Sequence, residues 1–377
     1  MLGGFGFALV LSLLMVPLVR QKAVLVGMFD NPGERKIHQN PVPRLGGVAI
    51  FASFMVAFWL LLITSWDWAF LKTNGILGLF AGGSLIFLLG LLDDLFNISA
   101  YVKLLAQVLA AVVAYYLGVQ ITLLDLPSSN VIVLHAFSLP VTVLWLVGLS
   151  NALNFIDGVD GLAGGVTTFS ALTLILAALF THQDQAALLA ALLAGASFGF
   201  LVFNIHPARI FMGDSGALFA GFTLAAISVI GVLKEPVAVM LLPVLVLSVP
   251  VMDITYSTLR RLFRGKNPFV ADADHLHHRL LKAGLSQNLT VWTFYLVCVL
   301  SGLWACLYIQ RLPEYLLMIS AFFLLMFVLM LILRQDALRV IFQGLMSKKG
   351  SAQPEQPPAE QAHPPETPDK TLPPTAC

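Results

Sequence analysis

Apolar stretches long enough to cross a bilayer alternate with short polar segments along this chain, and that alternation persists from residue 2 to residue 333. The runs fall at 2–19, 47–65, 75–92, 102–118, 136–152, 164–180, 186–203, 216–233, 237–258, 291–310 and 315–333. Each approaches the ~20 residues that a helix needs to span the hydrocarbon core. The pattern predicts an all-α, polytopic bundle of about 11 transmembrane helices, a domain over residues 1–335. From about residue 350 the apolar period is lost to Pro, Gln, Glu and Ala, so 336–377 reads as a tail, disordered and Pro-rich toward its end.

Composition agrees, with 58% hydrophobic and 11% charged residues and a mean hydropathy of +0.88, against about 25% charged in soluble domains. The first cationic residue, Arg20, follows the first apolar run, so no secretory signal peptide is expected. A net charge of +1 carries no basic field, and nucleic acid is not an expected partner. The three cysteines, Cys298, Cys306 and Cys377, form neither a disulfide framework nor a metal knuckle.

The placement of cations orients the bundle. With the N-terminus outside, one set of loops holds only Lys72, Lys234 and Arg311, while the rest of the chain's 21 Lys and Arg lie on or beside the other side. That side is the expected cytoplasmic face, with the C-terminus on it. Every polar cluster falls there too: GMFDNPGERKIHQNPVPRLGG, DDLFN, NALNFIDGVDG, NIHPARIFMGDSG and RRLFRGKNPFVADADHLHHRLLKAG. Clusters from five separate places on one face read as one composite site.

NALNFIDGVDGLAGG, residues 151–165, is the most informative of them. Asn151, Asn154, Asp157 and Asp160 recur every third residue, a spacing that places them along one helix face. A carboxylate at the bilayer centre costs about 2.5–3.5 kcal/mol, so such a stripe calls for a wet cavity or a ligand. Asp93 and Asp94 end the third run and could share a divalent cation or a proton. Asp214, in FMGDSG, opens the eighth. Alone it would be an ordinary helix cap, but beside the other acids it becomes a candidate metal ligand together with Asp94.

Oxygen-only donors select Mg²⁺, or Mn²⁺, over zinc, and Mg²⁺ binds through one or two carboxylates plus phosphate oxygens. Lys36, Arg44, Lys103, Arg209 and the His275, His277 and His278 group supply the charge that a bound phosphate needs. HLHH lacks the ligand spacing of a zinc site and reads as a phosphate-binding or proton-handling loop. His38 and His206 read as similar loop residues. Phosphoryl transfer at a membrane surface uses this inventory. A cation-coupled transporter would set its acids near the midplane in repeated halves, whereas here they sit at span ends without a matching motif pair. A scaffold that only binds lipid-linked sugar would use the same groups without turnover.

The motifs DNPGERKIHQNPVPRLGG, LLGLLDDLFNIS, NALNFIDGVDGLAGG, FNIHPARIFMGDSGAL and ADADHLHHRLLKAG resemble, in order, those of the polyprenyl-phosphate N-acetylhexosamine-1-phosphate transferases, over about residues 1–335. The resemblance implies ten or eleven helices around a cytoplasmic cleft, in the bacterial inner membrane, and transfer of a sugar 1-phosphate from a UDP-N-acetylhexosamine to undecaprenyl phosphate with release of UMP and a requirement for Mg²⁺. NPVPRLGG, and the distance from the paired aspartates to Lys103, resemble the branch that uses N-acetylglucosamine more than the phospho-N-acetylmuramoyl-pentapeptide branch. N-acetylgalactosamine, N-acetylquinovosamine and N-acetylfucosamine stay open as sugars, as does the pathway, O-antigen or another envelope polysaccharide.

By the same resemblance Asp214 binds Mg²⁺, and Asp93 and Asp94 lie near the metal and the lipid phosphate, with Asp93 the base or orienting group. Asn154, Asp157 and Asp160 line the nucleotide and diphosphate pocket, Phe211 stacks on uracil, and His277 and His278 hold phosphate or sugar. The apolar lateral surface would suit membrane lipid and a homodimer.

Overall fold

In the computed structural model, the described residues are 1–30, 41–65, 70, 75–125, 131–231, 280–281 and 284–309. They belong to one unit, Met1–Leu333, and the second, Arg334–Cys377, lies outside them. The elements in chain order are α1 (Leu2–Val26), β1 (Phe29–Asp30), β2 (Val42–Pro43), α2 (Gly46–Ser65), α3 (Ile76–Phe96), α4 (Ala100–Tyr116), β3 (Leu123–Asp125), β4 (Val131–Val133), α5 (Ser138–Ile156), α6 (Leu162–Phe180), α7 (Asp184–Asn204), α8 (Gly213–Gly231) and α9 (Gln287–Ile309).

Eight of these helices are long and apolar enough to cross a membrane, and the 17-residue α4 is a shorter apolar helix. The chain is a multi-pass membrane protein. The runs at 237–258 and 315–333 lie outside the described residues. The first run continues through Arg20 and Lys22 to Val26, where Gly27 in the left-handed conformation ends α1 by donating to Ala23 and Val24 carbonyls. Two small antiparallel sheets, β1–β2 and β3–β4, stand where the apolar pattern predicted only helices and loops.

α8 is the axis of the bundle. Every one of its residues is buried except Asp214, which explains an apolar composition with no polar face. It is enclosed by α2, α3, α5, α6 and α7. Phe219 of α8 meets Phe51 and Phe54 of α2 edge-on at ring-centre distances of 5.2 and 5.7 Å, and Phe51 stacks on Phe87 of α3 at 3.8 Å. This aromatic cluster fixes three helices just inside their polar ends. α1 packs on α7 and α2, with Ser12 donating to the Ala196 carbonyl at 2.7 Å, and leaves Val10, Leu14 and Leu18 exposed on its outer face. Such apolar outer faces meet lipid at no solvation cost.

Candidate active site

The site is assembled at one end of α8. α3 ends in Asp93 and Asp94, both buried. Asp93 organises the turn that follows: its carboxylate accepts the Ile98 N–H at 2.8 Å and its carbonyl accepts the N–H of Asn97, a residue in the left-handed conformation. The chain then re-enters a helix at Ala100, which sets Lys103 in the first turn of α4. Lys103 Nζ donates to Asp93 Oδ2 at 2.8 Å and to Asp214 Oδ2.

Asp94 faces the start of α8. Its side chain is fully buried and accepts the N–H groups of Asp214, at 2.9 Å, and Ser215, at 3.0 Å. A helix start presents unpaired N–H groups and the positive end of the macrodipole, so Asp94 acts as a cap supplied by another helix. Gly213, at φ 73°, makes this approach possible: a Cβ there would sit 2.8 Å from Asp94 Oδ2. Arg44 closes the group, with Nη2 at 2.9 Å from Asp94 Oδ1 and 2.8 Å from Asp214 Oδ1.

The backbone holds Arg44 in place. Phe211 donates to the Pro43 carbonyl, and Gly46 and Gly47 donate to the carbonyls of Phe211 and Met212, each at 2.8 Å. Segment 43–47 is thereby paired with 211–212 ahead of α2 and α8. Burial works against the Arg44 charge, but Asp94 and Asp214 outweigh it and hold its pKa above the ordinary arginine value.

Asp157 ends α5 and points into the same group. Burial first, and then the Asp214 charge, push its carboxyl well above the usual carboxylate range against the opposing pull of Arg44. Asp160 lies elsewhere. Its Oδ2 pairs with His206 Nδ1 at 2.8 Å and accepts the Ala208 N–H at 3.1 Å, which organises the loop between α7 and α8. Asn204 joins the same scaffold: it accepts the Gly161 N–H at 3.0 Å and donates to the Ile210 carbonyl at 2.9 Å. Tyr295 of α9 donates to the Gly161 carbonyl at 2.6 Å.

The family model described as Glycosyl transferase family 4 matches residues 76–232, the stretch from α3 to the end of α8. A probable undecaprenyl-phosphate N-acetylglucosaminyl 1-phosphate transferase of Bacillus subtilis is 34% identical over 295 residues, covering 78% of this chain and 80% of the relative. The chain belongs to glycosyl transferase family 4. A decaprenyl-phosphate N-acetylglucosaminephosphotransferase of Mycobacterium tuberculosis is 35% identical, over 74% of this chain and 75% of its own length. An undecaprenyl-phosphate alpha-N-acetylglucosaminyl 1-phosphate transferase of Escherichia coli K12 is 29% identical, over 81% and 84%. Within the family, the chain is similar to the N-acetylglucosaminyl 1-phosphate branch.

In this family 4 chain the structure brings together Asp93, Asp94, Asp157 and Asp214 with Lys103 and Arg44. Asn154 and Phe211 are half-buried beside them in sequence, on the last turn of α5 and just ahead of α8. Arg209 is exposed on the preceding loop, where its carbonyl accepts Arg20 Nε at 3.1 Å. Lys36, His275, His277 and His278 lie outside the described residues, as does His38. The three-residue spacing does not extend one helix face from Asn151 to Asp160, because α5 stops at Ile156 and Asp157 is its C-cap. Asn204, Gln107 and Tyr295 escaped the sequence reading. Asn204 carried a signal, as a polar residue closing an apolar run ahead of the FMGD segment.

The carboxylates fit a hard divalent cation in one respect. A single ammonium nitrogen reaches Asp93 Oδ2 and Asp214 Oδ2 together, so these oxygens stand close enough to share one cation. Asp214, with a side chain 19% exposed, is open to it, while Asp94, at 0%, spends its oxygens on the α8 start and Arg44. Among the described residues no group of three His, Cys, Asp or Glu side chains is placed to hold an ion by itself.

Proposed function

We propose that this chain transfers N-acetylglucosamine 1-phosphate from UDP-N-acetylglucosamine to undecaprenyl phosphate, with release of UMP, at the cytoplasmic face of a bacterial inner membrane. The product, undecaprenyl-diphosphate-N-acetylglucosamine, would begin O-antigen or another envelope polysaccharide. The observation that carries this reading is Asp214: the one α8 residue that is not fully buried lies between Lys103 and Arg44 at the helix start. Two cations converging on one partly exposed carboxylate supply the charge that phosphate oxygens need, and the relatives named above are named for phosphoglycosyl transfer to polyprenyl phosphates.

Each residue then has a task. Lys103 and Arg44 hold phosphate oxygens and balance the charge that the diphosphate brings. Asp93 orients Lys103 and the lipid phosphate, whose oxygen attacks the β-phosphorus in line. The P–O bond to the α-phosphate breaks and its electrons leave with UMP. Asp157, which keeps its proton more tightly than an ordinary carboxyl, faces the diphosphate or the sugar. Asn154 and Phe211 flank the nucleotide, and Asp160 with His206 holds the loop that carries Phe211. Asp214, with Asp93, would bind Mg²⁺, which would supply charge stabilisation to the phosphate oxygens of the departing UMP.

The test is UMP release by purified protein with Mg²⁺, undecaprenyl phosphate and a series of UDP-amino sugars and UDP-N-acetylmuramoyl-pentapeptide, with Asp214→Asn as control. Lipid-dependent release lost in the variant supports the reading and names the sugar. No UMP from any donor in folded protein rejects it in favour of binding or transport.

A further inference from the structure

α4 is held against the bundle by an unusual set of side chains. Its buried positions are Gln107, Ala110, Ala111 and Ala114, while Leu104, Leu105, Leu109 and Val113 are exposed on its outer face. Three alanines give close contact but no directional bond. Gln107 is the exception. It is 1% exposed and faces Asn151 of α5, with Gln107 Nε2 donating to Asn151 Oδ1 at 3.2 Å and Asn151 Nδ2 donating to Gln107 Oε1 at 2.6 Å. Asn151 Nδ2 uses its second proton on the Val147 carbonyl at 2.8 Å, which leaves its amide in one orientation. Two reciprocal bonds between planar amides fix both the distance and the rotation of the helices that carry them.

Lys103 lies one helical turn before Gln107, on the same side of α4. It is the residue whose Nζ must reach Asp93 of α3 and Asp214 of α8 at once. We infer that the Gln107–Asn151 amide pair sets the register of α4 on α5, and thereby places the Lys103 ammonium between the two carboxylates. Both amides are positioning residues, acting through Lys103. Single buried polar residues specify register in packed helices in the same way. The inference rests on the proposed function for its kinetic consequence, though not for its geometry.

The deciding variant is Gln107→Met/Asn151→Leu, in which both partners become apolar at similar volume, a change that is near neutral for folding. Its unfolding midpoint should match the parent, with kcat for UMP release lowered about tenfold or more by a displaced cation and KM for UDP-N-acetylglucosamine little changed. In a Lys103→Arg background the same two substitutions should cost less than about twofold, because residues that act as a unit are not additive. Gln107→Asn/Asn151→Gln, which exchanges the amides, should recover most of the rate. Equal factors in both backgrounds, a rate loss that tracks lost stability, or no rate loss overturns the inference.

A readout without chemistry accompanies it: Lys103→Cys/Asp214→Cys coupled by a short bis-thiol reagent, with and without the amide pair. The yield should fall severalfold when the pair is removed, and an unchanged yield overturns the inference. Absence of UMP release in the parent would reject the proposed function alone, since the crosslink reports register whatever reaction the site performs.

Discussion

Lys103 Nζ bridges Asp93 and Asp214, two carboxylates that lie 121 positions apart in the numbering and on different helices. The ammonium occupies the place where a metal's charge would also be felt, so removing it should separate two effects. Lys103→Met is expected to lower UMP release about 10²-fold, the scale for loss of one charge-stabilising group. It should also shift the Mg²⁺ dependence to lower concentration, because Asp93 loses its ammonium partner and Asp214 keeps only Arg44. A Mg²⁺ titration of kcat checks both, and a weakened Mg²⁺ dependence would count against a shared site.

Asp94 and Asp214 should fail differently. Asp94→Ala removes the cap of α8 and strips a buried partner from Arg44, which is expected to cost about 3–5 kcal/mol and to lower the unfolding midpoint along with activity. Asp214→Asn, which leaves the α8 cap and the Asp94–Arg44 pair in place, should abolish UMP release with a smaller drop in the unfolding midpoint. Thermal unfolding in detergent, measured beside the assay, separates the two.

The raised pKa of Asp157 gives a pH dependence with a defined sign. Its folded-state value lies above the unfolded one, about 3.9, so its contribution is fully present below that value and is lost as pH rises through the folded-state value. At neutral pH the ionised form is a cost. Asp157→Asn should therefore raise the unfolding midpoint at pH 7–8, with the gain shrinking as pH falls toward 4, while UMP release drops. A variant less stable than the parent at pH 8 would contradict this.

Gly165 is the slot for Tyr295. A Cβ at Gly165 would overlap the Tyr295 ring, so Gly165→Ala should push α9 off α6 and cost about 1–3 kcal/mol, the range for overpacking. Adding Tyr295→Leu should restore part of the loss. The unfolding midpoints of the two variants test the contact.

Chelation of divalent metal should stop UMP release, and Mg²⁺ or Mn²⁺ should restore it. Restoration by Zn²⁺ alone would reject the oxygen-donor assignment.

Apolar runs and polar motifs were legible in the sequence because a bilayer forces both: spans must be continuous, and acids must collect where they find a partner. Asp93, Asp94, Asp157 and Asp214 were accordingly placed on one face, and they meet. Their individual tasks were not legible, since nothing in DDLF says that the second aspartate turns toward α8 while the first turns toward Lys103. Asp160 was grouped with Asp157 by a helical period, but the helix ends before either of them. Gln107 and Tyr295 gave no signal at all, because an amide or a phenol in an apolar run acquires meaning only from the helix opposite.

The pairing of segment 43–47 with 211–212 also sets an order of events. Arg44 and its partner Asp214 are separated by 170 positions, roughly 10–30 s of synthesis at bacterial-to-eukaryotic rates. Through that interval the guanidinium and the α3 carboxylates are at the membrane without the helix that organises them. Among the described carboxylates and cations of the site, the last to be translated is thus the one that locks the earlier ones, and a nascent chain halted before α8 should expose Arg44 to a protease or a thiol probe that the finished protein excludes.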